Sequence, residues 1–223
     1  MTVPTRNAGA HMLPPAIAYA VLAICNVVVP QVLAGLTPWS SDAHLLEYFA
    51  NHVAAARAQA FLTVGASVPF GVVTAIAVSR IRTLGFEVPG RMISLVGGTV
   101  AAAMLALSGL IQFTLTGSGI ASSPPVLRAF YALSTATGGQ GFVIFEVLLL
   151  AGISVIGLLG GALRPVLAWF GLVVAAVSEL ATLSIAFPAL NFLLPVGRFG
   201  SLVWILAIAF LLPASRQDPR FRG

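Results

Sequence analysis

Charged residues are scarce in this chain. Of its 223 residues only 8% are charged and 59% are hydrophobic, whereas roughly 25% of an ordinary soluble domain is charged. A soluble fold of this size has too little interior for so much apolar surface. A bilayer core about 30 Å thick accepts helices of roughly 20 apolar residues, which satisfy their own backbone hydrogen bonds. The composition therefore predicts an integral membrane protein.

Lysine is absent and cysteine nearly so. All 11 basic residues are arginines, which excludes chemistry that needs a Schiff-base lysine. The single cysteine, Cys25, lies in an apolar segment, so neither an internal disulfide nor a CxxC site can form. The arginines stand singly or in short clusters between apolar segments, a pattern typical of topology signals and not of a nucleic-acid interface. We therefore expect no nucleic-acid partner.

Uncharged runs of membrane-crossing length recur six times. They predict an all-α bundle of six transmembrane helices with short loops, forming a single domain over residues 1–223. The predicted spans cover about 13–35, 58–79, 92–116, 140–163, 165–187 and 199–214. Two shorter segments, at about 42–53 and 126–137, are predicted as interfacial helices on the outer side. The alternatives are that the first continues into span two and that the second is re-entrant. The Gly138-Gly139 pair is expected to break the chain between the second of these and span four.

The arginines also predict an orientation. Six spans place both termini and the second and fourth loops on one side of the membrane, and that side holds eight arginines. The opposite side holds the remaining three, which are Arg57, Arg128 and Arg198. Because positively charged loops stay in the cytoplasm, the N and C termini are predicted to be cytoplasmic.

Glu146 and Glu179 are the only acidic residues within the predicted spans. A carboxylate facing hydrocarbon costs several kcal/mol unless it is neutral, paired or wet, so both are expected to face the bundle interior. Glutamines in the outer halves of the first three spans predict an outward-facing polar cavity shared with these glutamates. The candidate ligand-binding residues are Glu146, Glu179, Gln112, Gln31, Gln59, Arg57 and Arg128. In the alternative interpretation, each glutamate pairs with an outer arginine, such as Arg57 or Arg128, and only fixes helix packing.

Neither a metal nor a cofactor is expected. Asp42, His44, Glu47 and His52 gather in the first outer loop, but His52 falls on a different part of the helix surface from His44, so three or four ligands do not converge. No histidine lies within a predicted span, which argues against a haem. Walker, HExxH, GxSxG and dinucleotide-binding motifs are absent from the sequence.

Several short stretches resemble uncharacterised six-span bacterial membrane proteins grouped as a domain of unknown function. They are Ala60-Phe61 with Pro69 and Arg80, Leu84-Gly85, Gly97-Gly98, Ser108-Gly109, Leu202-Val203-Trp204 and Leu211-Leu212-Pro213. The resemblance implies a multi-pass six-helix bundle in the bacterial cytoplasmic (inner) membrane. It transfers no activity and no site residue.

Three functions are compatible with these patterns. The first is a carrier or sensor that binds a lipid or a small hydrophobic or cationic molecule in the polar cavity. The second is a non-catalytic accessory or scaffold subunit, in a homo-oligomer or a larger membrane complex, because small residues crowd several helix faces. The third is a membrane-embedded enzyme acting on a lipid or quinone-like substrate, with a glutamate as general acid or base. No nucleophile or cofactor motif accompanies the glutamates, so an enzyme is the least favoured of the three.

Overall fold

The chain is helical throughout the residues that the computed structural model describes, which are 11–35, 40–117, 119–120 and 123–221. Eight α-helical segments follow one another, and no strand occurs within these ranges. The segments are α1 (Leu13–Ala34), α2 (Asp42–Asn51), α3 (Val53–Thr83), α4 (Pro89–Thr114), α5 (Pro124–Ala136), α6 (Phe142–Leu159), α7 (Pro165–Thr182) and α8 (Leu193–Leu211).

Six helices are long and apolar enough to cross a membrane, which confirms the prediction of a multi-pass helical bundle. They are α1, α3, α4, the continuous helix Pro124–Leu159, α7 with its short 3₁₀ extension, and α8 with the 3₁₀ turn before it. Each presents large apolar side chains on its outer surface, including Val32, Phe61, Leu110, Leu159, Val173 and Val203. Such exposure is expected where lipid is the solvent.

The spanning helices pack in a closed ring. Each of α3, α4, α6, α7 and α8 packs beside its neighbour in that order, while α1 packs between α3 and α8. Aromatic side chains fill the middle, where Tyr19 and Phe70 have ring centroids 5.1 Å apart and Phe70 and Phe142 have centroids 5.2 Å apart. These rings join α1, α3 and α6 into one core.

Glycine allows α4 to approach both of its neighbours closely. A Cβ atom at Gly97 would lie 2.6 Å from the backbone oxygen of Phe145 on α6. A Cβ atom at Gly109 would lie 2.8 Å from the backbone nitrogen of Val64 on α3. The small-residue faces therefore serve contacts between backbones within the bundle.

The predicted break at the Gly138-Gly139 pair is wrong. Residues Thr137–Gly141 form a π-helical turn that joins α5 to α6 without interruption. Positive φ angles occur in the described residues only at Gly35, Gly85 and Gly161, so this glycine pair keeps a helical backbone. A glycine pair permits a break but does not require one, and packing decides the outcome.

The predicted start of span six is also wrong, because α8 begins at Leu193 and not near Phe199. Pro195 is accommodated in the first turn, where a backbone N–H would have no intrahelical acceptor. Consequently Arg198 belongs to the helix and not to a loop.

The predicted short helix near residue 42 is present as α2. The Ser41 hydroxyl caps it by accepting a hydrogen bond from the His44 backbone N–H at 3.3 Å. Leu45, Tyr48 and Phe49 bury the apolar face of α2 against α3 and α5.

The two ends of the bundle differ in their content of arginine. The basic end is the end at which α3 finishes, α4 and α7 start, and the tail follows α8. Two reciprocal hydrogen bonds close it: Arg80 donates to the Leu212 carbonyl at 2.8 Å, and Arg216 donates to the Leu84 carbonyl at 2.7 Å. Arg6 and Arg222, which contribute to the predicted orientation, lie outside the described residues.

Candidate functional site

A half-open cavity of about 680 Å³ lies at the end of the bundle opposite the basic end. Its wall is formed by parts of the seven helices α1 to α6 and α8, together with the π turn and the 3₁₀ turn before α8. We call it the amide cavity, because six carboxamide side chains line it. They are Asn26, Gln31, Gln59, Gln112, Gln140 and Asn191.

Hydrogen bonds connect the polar groups of one wall across four helices. The Thr63 hydroxyl on α3 lies 2.9 Å from Asn26 Oδ1 on α1 and 2.9 Å from Gln112 Oε1 on α4. The Ser108 hydroxyl on α4 donates to the Ser134 carbonyl on α5 at 2.8 Å. A single Thr63 proton serves only one acceptor at a time, so the carboxamides of this wall keep spare hydrogen-bonding capacity.

The opposite wall centres on Gln140 in the π turn. Its Nε2 donates to Asn191 Oδ1 at 3.3 Å and to the Ser184 hydroxyl at 3.4 Å. Its Oε1 is buried and has no hydrogen-bond partner among the described protein atoms. A buried acceptor of this kind is normally satisfied by ordered water or by a ligand.

Arg198 reaches the cavity from α8. Its Nη1 donates to the Gly138 carbonyl in the π turn at 2.6 Å, and its guanidinium carbon lies 5.1 Å from the centroid of the Phe142 ring. Gly138 allows the π turn to approach α4, since a Cβ atom there would lie 2.4 Å from Ser108 Oγ. The glycine and the π turn together position both a wall of the cavity and the acceptor for Arg198.

Arg128 links the cavity to the start of α2. Its side chain lines the cavity, donates to the Ser40 carbonyl at 3.0 Å and pairs with Asp42 Oδ1 at 3.4 Å. Phe49 of α2 and Tyr131 of α5 also line the cavity. Their rings are in edge contact, with centroids 6.4 Å apart. Helix α2 is thereby fixed beside the cavity.

Four of the seven predicted ligand-binding residues line this cavity, namely Gln31, Gln59, Gln112 and Arg128. Arg57 does not; it is exposed, and it donates to the Thr116 hydroxyl at 3.4 Å. Glu146 and Glu179 are also absent from the wall.

The prediction that Glu179 faces the interior is wrong, because its side chain is exposed. Ser178 and Ala181 lie on the buried face of α7, and consecutive helix positions point about 100° apart. Glu179 also lies within the last turn of α7, where a carboxylate can reach the polar membrane surface.

Glu146 is buried as predicted, with 1% of its surface exposed, but it lies behind the cavity wall. On α8, the Ser201 hydroxyl acts on its carboxyl group as a weak hydrogen-bond partner and Arg198 acts on it electrostatically. Of the outer arginines, Arg57 and Arg128 contact Thr116 and Asp42 and not a glutamate. The outer arginine that acts electrostatically on Glu146 is Arg198.

Nine polar residues of the wall are not among the candidates predicted from the sequence, and they are Asn26, Thr63, Ser108, Tyr131, Ser134, Thr135, Gln140, Asn191 and Arg198. The predicted span six begins at about residue 199, which leaves Arg198 in the loop before it. A proline three residues before an arginine at the start of an apolar run is equally typical of a helix beginning, and that signal could have found it.

Within the described ranges, no group of three His, Cys, Asp or Glu side chains converges as metal ligands would. No family model, curated protein or solved structure matches this chain.

Proposed function

We propose that this protein binds a lipid or another small amphipathic molecule in the amide cavity, as a carrier or a sensor in a bacterial cytoplasmic membrane. The observation that carries the proposal is a cavity of about 680 Å³ inside a membrane bundle, lined by six carboxamides and by apolar side chains.

The size and composition of the cavity both suit such a ligand. Small-molecule sites enclose about 300 to 1,000 Å³ and combine apolar walls with a few polar groups. Carboxamides in a membrane interior need hydrogen-bond partners, and Gln140 Oε1 has none among the described atoms. The polar group of an amphiphile would satisfy these amides, while its apolar part would contact Val143, Leu194 and Phe199.

The charges on the wall favour a neutral or anionic ligand over a cationic one. Two arginines line the cavity, and no carboxylate does among the residues described. The cationic ligand considered from the sequence required Glu146 and Glu179 in the wall, and both lie elsewhere.

A cavity-filling variant with a matched control tests the proposal. Ala132 and Ala129 are exposed positions one turn apart on α5, but only Ala132 lines the cavity. The purified protein, reconstituted in nanodiscs, is titrated with tritiated dodecanoate and with tritiated 1-dodecanol. Ala132→Phe should weaken binding of the probe that the wild type retains by about ten-fold, or 1.4 kcal/mol, whereas Ala129→Phe should bind it like the wild type.

Equal binding by the two phenylalanine variants, both monodisperse, would contradict the proposal. So would a wild-type protein that retains neither probe.

A further inference from the structure

Arg198 places a positive charge on the wall of the amide cavity. Its guanidinium carries five N–H donors in a planar fork, and the hydrogen bond to the Gly138 carbonyl occupies one of them. A cation–π contact with the Phe142 ring stabilises the guanidinium on one face. The Arg198 side chain lines the cavity, so its other N–H donors lie at the cavity wall.

No carboxylate forms an ion pair with Arg198 in the part of the chain that the structure describes. Arg128, the other arginine of the wall, differs in this respect because Asp42 pairs with it at 3.4 Å. Of the two arginines that line the cavity, Arg198 is therefore the one without an ion pair to a described carboxylate.

Glu146 acts on Arg198 electrostatically but forms no ion pair with it. Its side chain is almost fully buried and does not line the cavity, so its carboxyl group lies outside the space that a ligand would occupy. Arg198 is therefore a cation without an ion-paired carboxylate among the described residues, on the wall of a half-open cavity.

On this geometry we infer that Arg198 is the head-group contact of the amide cavity, and that it selects a single-chain amphiphile with a carboxylate or phosphate head group. The inference rests on the proposed function and specifies its ligand. A guanidinium fork binds either head group through two parallel hydrogen bonds. Gln140, held on the same wall, offers further polar contacts.

The experiment compares ligands that differ only in the head group. Wild-type protein in nanodiscs is loaded with tritiated dodecanoate and challenged with dodecyl phosphate, 1-dodecanol, dodecyltrimethylammonium or inorganic phosphate. Dodecyl phosphate should displace the probe at concentrations at least about ten-fold below those of the alcohol, a difference of 1.4 kcal/mol. The trimethylammonium compound should compete most weakly of the three amphiphiles.

Three arginine variants test whether Arg198 provides the selectivity. Arg198→Gln should lower dodecanoate affinity by about ten-fold or more while 1-dodecanol binds as it does in the wild type, which also shows that the cavity is intact. Arg57→Gln removes an exposed arginine outside the cavity and should change neither affinity. Arg198→Lys keeps the charge but loses the fork, so intermediate affinity for dodecanoate is expected.

Equal affinity of the wild type for dodecanoate and 1-dodecanol would overturn the inference and leave the proposed function standing. Parallel loss of both ligands in Arg198→Gln would overturn it too, because that result marks a structural residue. Displacement by inorganic phosphate as effectively as by dodecyl phosphate would show a site for a free anion and overturn the amphiphile assignment. Failure of every amphiphile to bind the wild type would remove the proposed function as well.

Discussion

At the scale of single residues, two glycines on spanning helices differ sharply in what surrounds them. A Cβ atom at Gly97 would lie 2.4 Å from the Leu148 Cβ and 2.6 Å from the Phe145 carbonyl oxygen. At Gly71 the nearest atom would be the Ala102 Cβ, at an ordinary contact distance of 3.7 Å. Only the first glycine is required by close helix packing.

Gly97→Ala should therefore lower the free energy of unfolding by about 1–3 kcal/mol, the usual cost of overpacking a tight contact. Gly71→Ala should be neutral or stabilising by up to about 1 kcal/mol, because alanine favours helix over glycine. Equilibrium unfolding in mixed micelles, followed by tryptophan fluorescence, measures both variants. Equal loss in the two would show that α4 and α6 are not in close contact at Gly97.

A carboxylate in the tail gives a second prediction at this scale. Asp218 accepts hydrogen bonds from the Arg220 side chain, at 2.8 and 2.5 Å, and from the backbone N–H groups of Arg220 and Ala214. The Arg220 guanidinium holds the pKa of Asp218 well below its ordinary value. The folded tail is therefore stabilised above the unfolded pKa of about 3.9, and this stabilisation is lost as the pH falls through the lower folded-state value.

Limited proteolysis of the tail between pH 6 and pH 2 measures this effect. An acid-active protease is used, and its activity at each pH is normalised on an unstructured control peptide. Wild-type cleavage after residue 212 should rise at the acidic end of the range, whereas Asp218→Asn should be cleaved readily at every pH. A wild-type tail that is equally protected throughout would show that Asp218 does not hold it.

The two intramembrane glutamates show what a sequence can predict about single residues. Counting from span ends estimates the depth of a side chain, and it placed both within apolar helices. The direction of a side chain around the helix axis depends on the neighbouring helices. Glu146 faces α8 and Glu179 faces outward, and no local pattern distinguishes them.

At the scale of elements, the continuous helix Pro124–Leu159 is too long for one simple crossing. Its 36 residues extend about 54 Å at a rise of 1.5 Å per residue, against a hydrocarbon core about 30 Å thick. We therefore expect α5 to extend beyond the hydrocarbon while α6 crosses it.

Cysteine accessibility in nanodiscs, which expose both membrane faces, tests this expectation. In a Cys25→Ala background, a cysteine replacing the exposed Ala129 on α5 should react with a charged maleimide. A cysteine replacing the exposed Val155 on α6 should react at least about ten-fold more slowly, because hydrocarbon excludes the charged reagent. Equal rates would show that α5 and α6 share one environment.

Element boundaries were harder to predict than element existence. The amphipathic segment near 126–137 is close to α5, since helical periodicity is a local property. The π turn after it depends on tertiary contacts, namely the approach of Gly138 to Ser108 and the hydrogen bond from Arg198. Residues far apart in sequence create those contacts, so the sequence gives no local sign of them.

At the scale of the whole molecule, the described arginines divide between the two ends of the bundle. The basic end carries Arg80, Arg82, Arg91, Arg164, Arg216 and Arg220, and the cavity end carries Arg57, Arg128 and Arg198. This asymmetry predicts that the basic end is cytoplasmic and that the cavity faces the opposite side.

Reporter fusions test the orientation. Cytoplasm-active and periplasm-active reporters attached to either terminus should both report the cytoplasm. Reporters on opposite faces would contradict the six-span arrangement, and two periplasmic termini would reverse the orientation of the cavity.

The number of spans could be predicted because the length of an apolar run depends only on consecutive residues. The contact between α1 and α8, which closes the ring, joins the first and last helices. The cavity likewise combines seven α-helices and the π turn, so its outline required the three-dimensional structure.

The reciprocal hydrogen bonds at the basic end set an order of assembly during synthesis. Each joins residues 132 positions apart, and ribosomes add about 5–20 residues per second. Arg80 therefore waits about 7–26 s for Leu212 to be made at that elongation rate. Until then neither of the two hydrogen bonds can form, so the basic end of the nascent bundle can close only after translation has nearly finished.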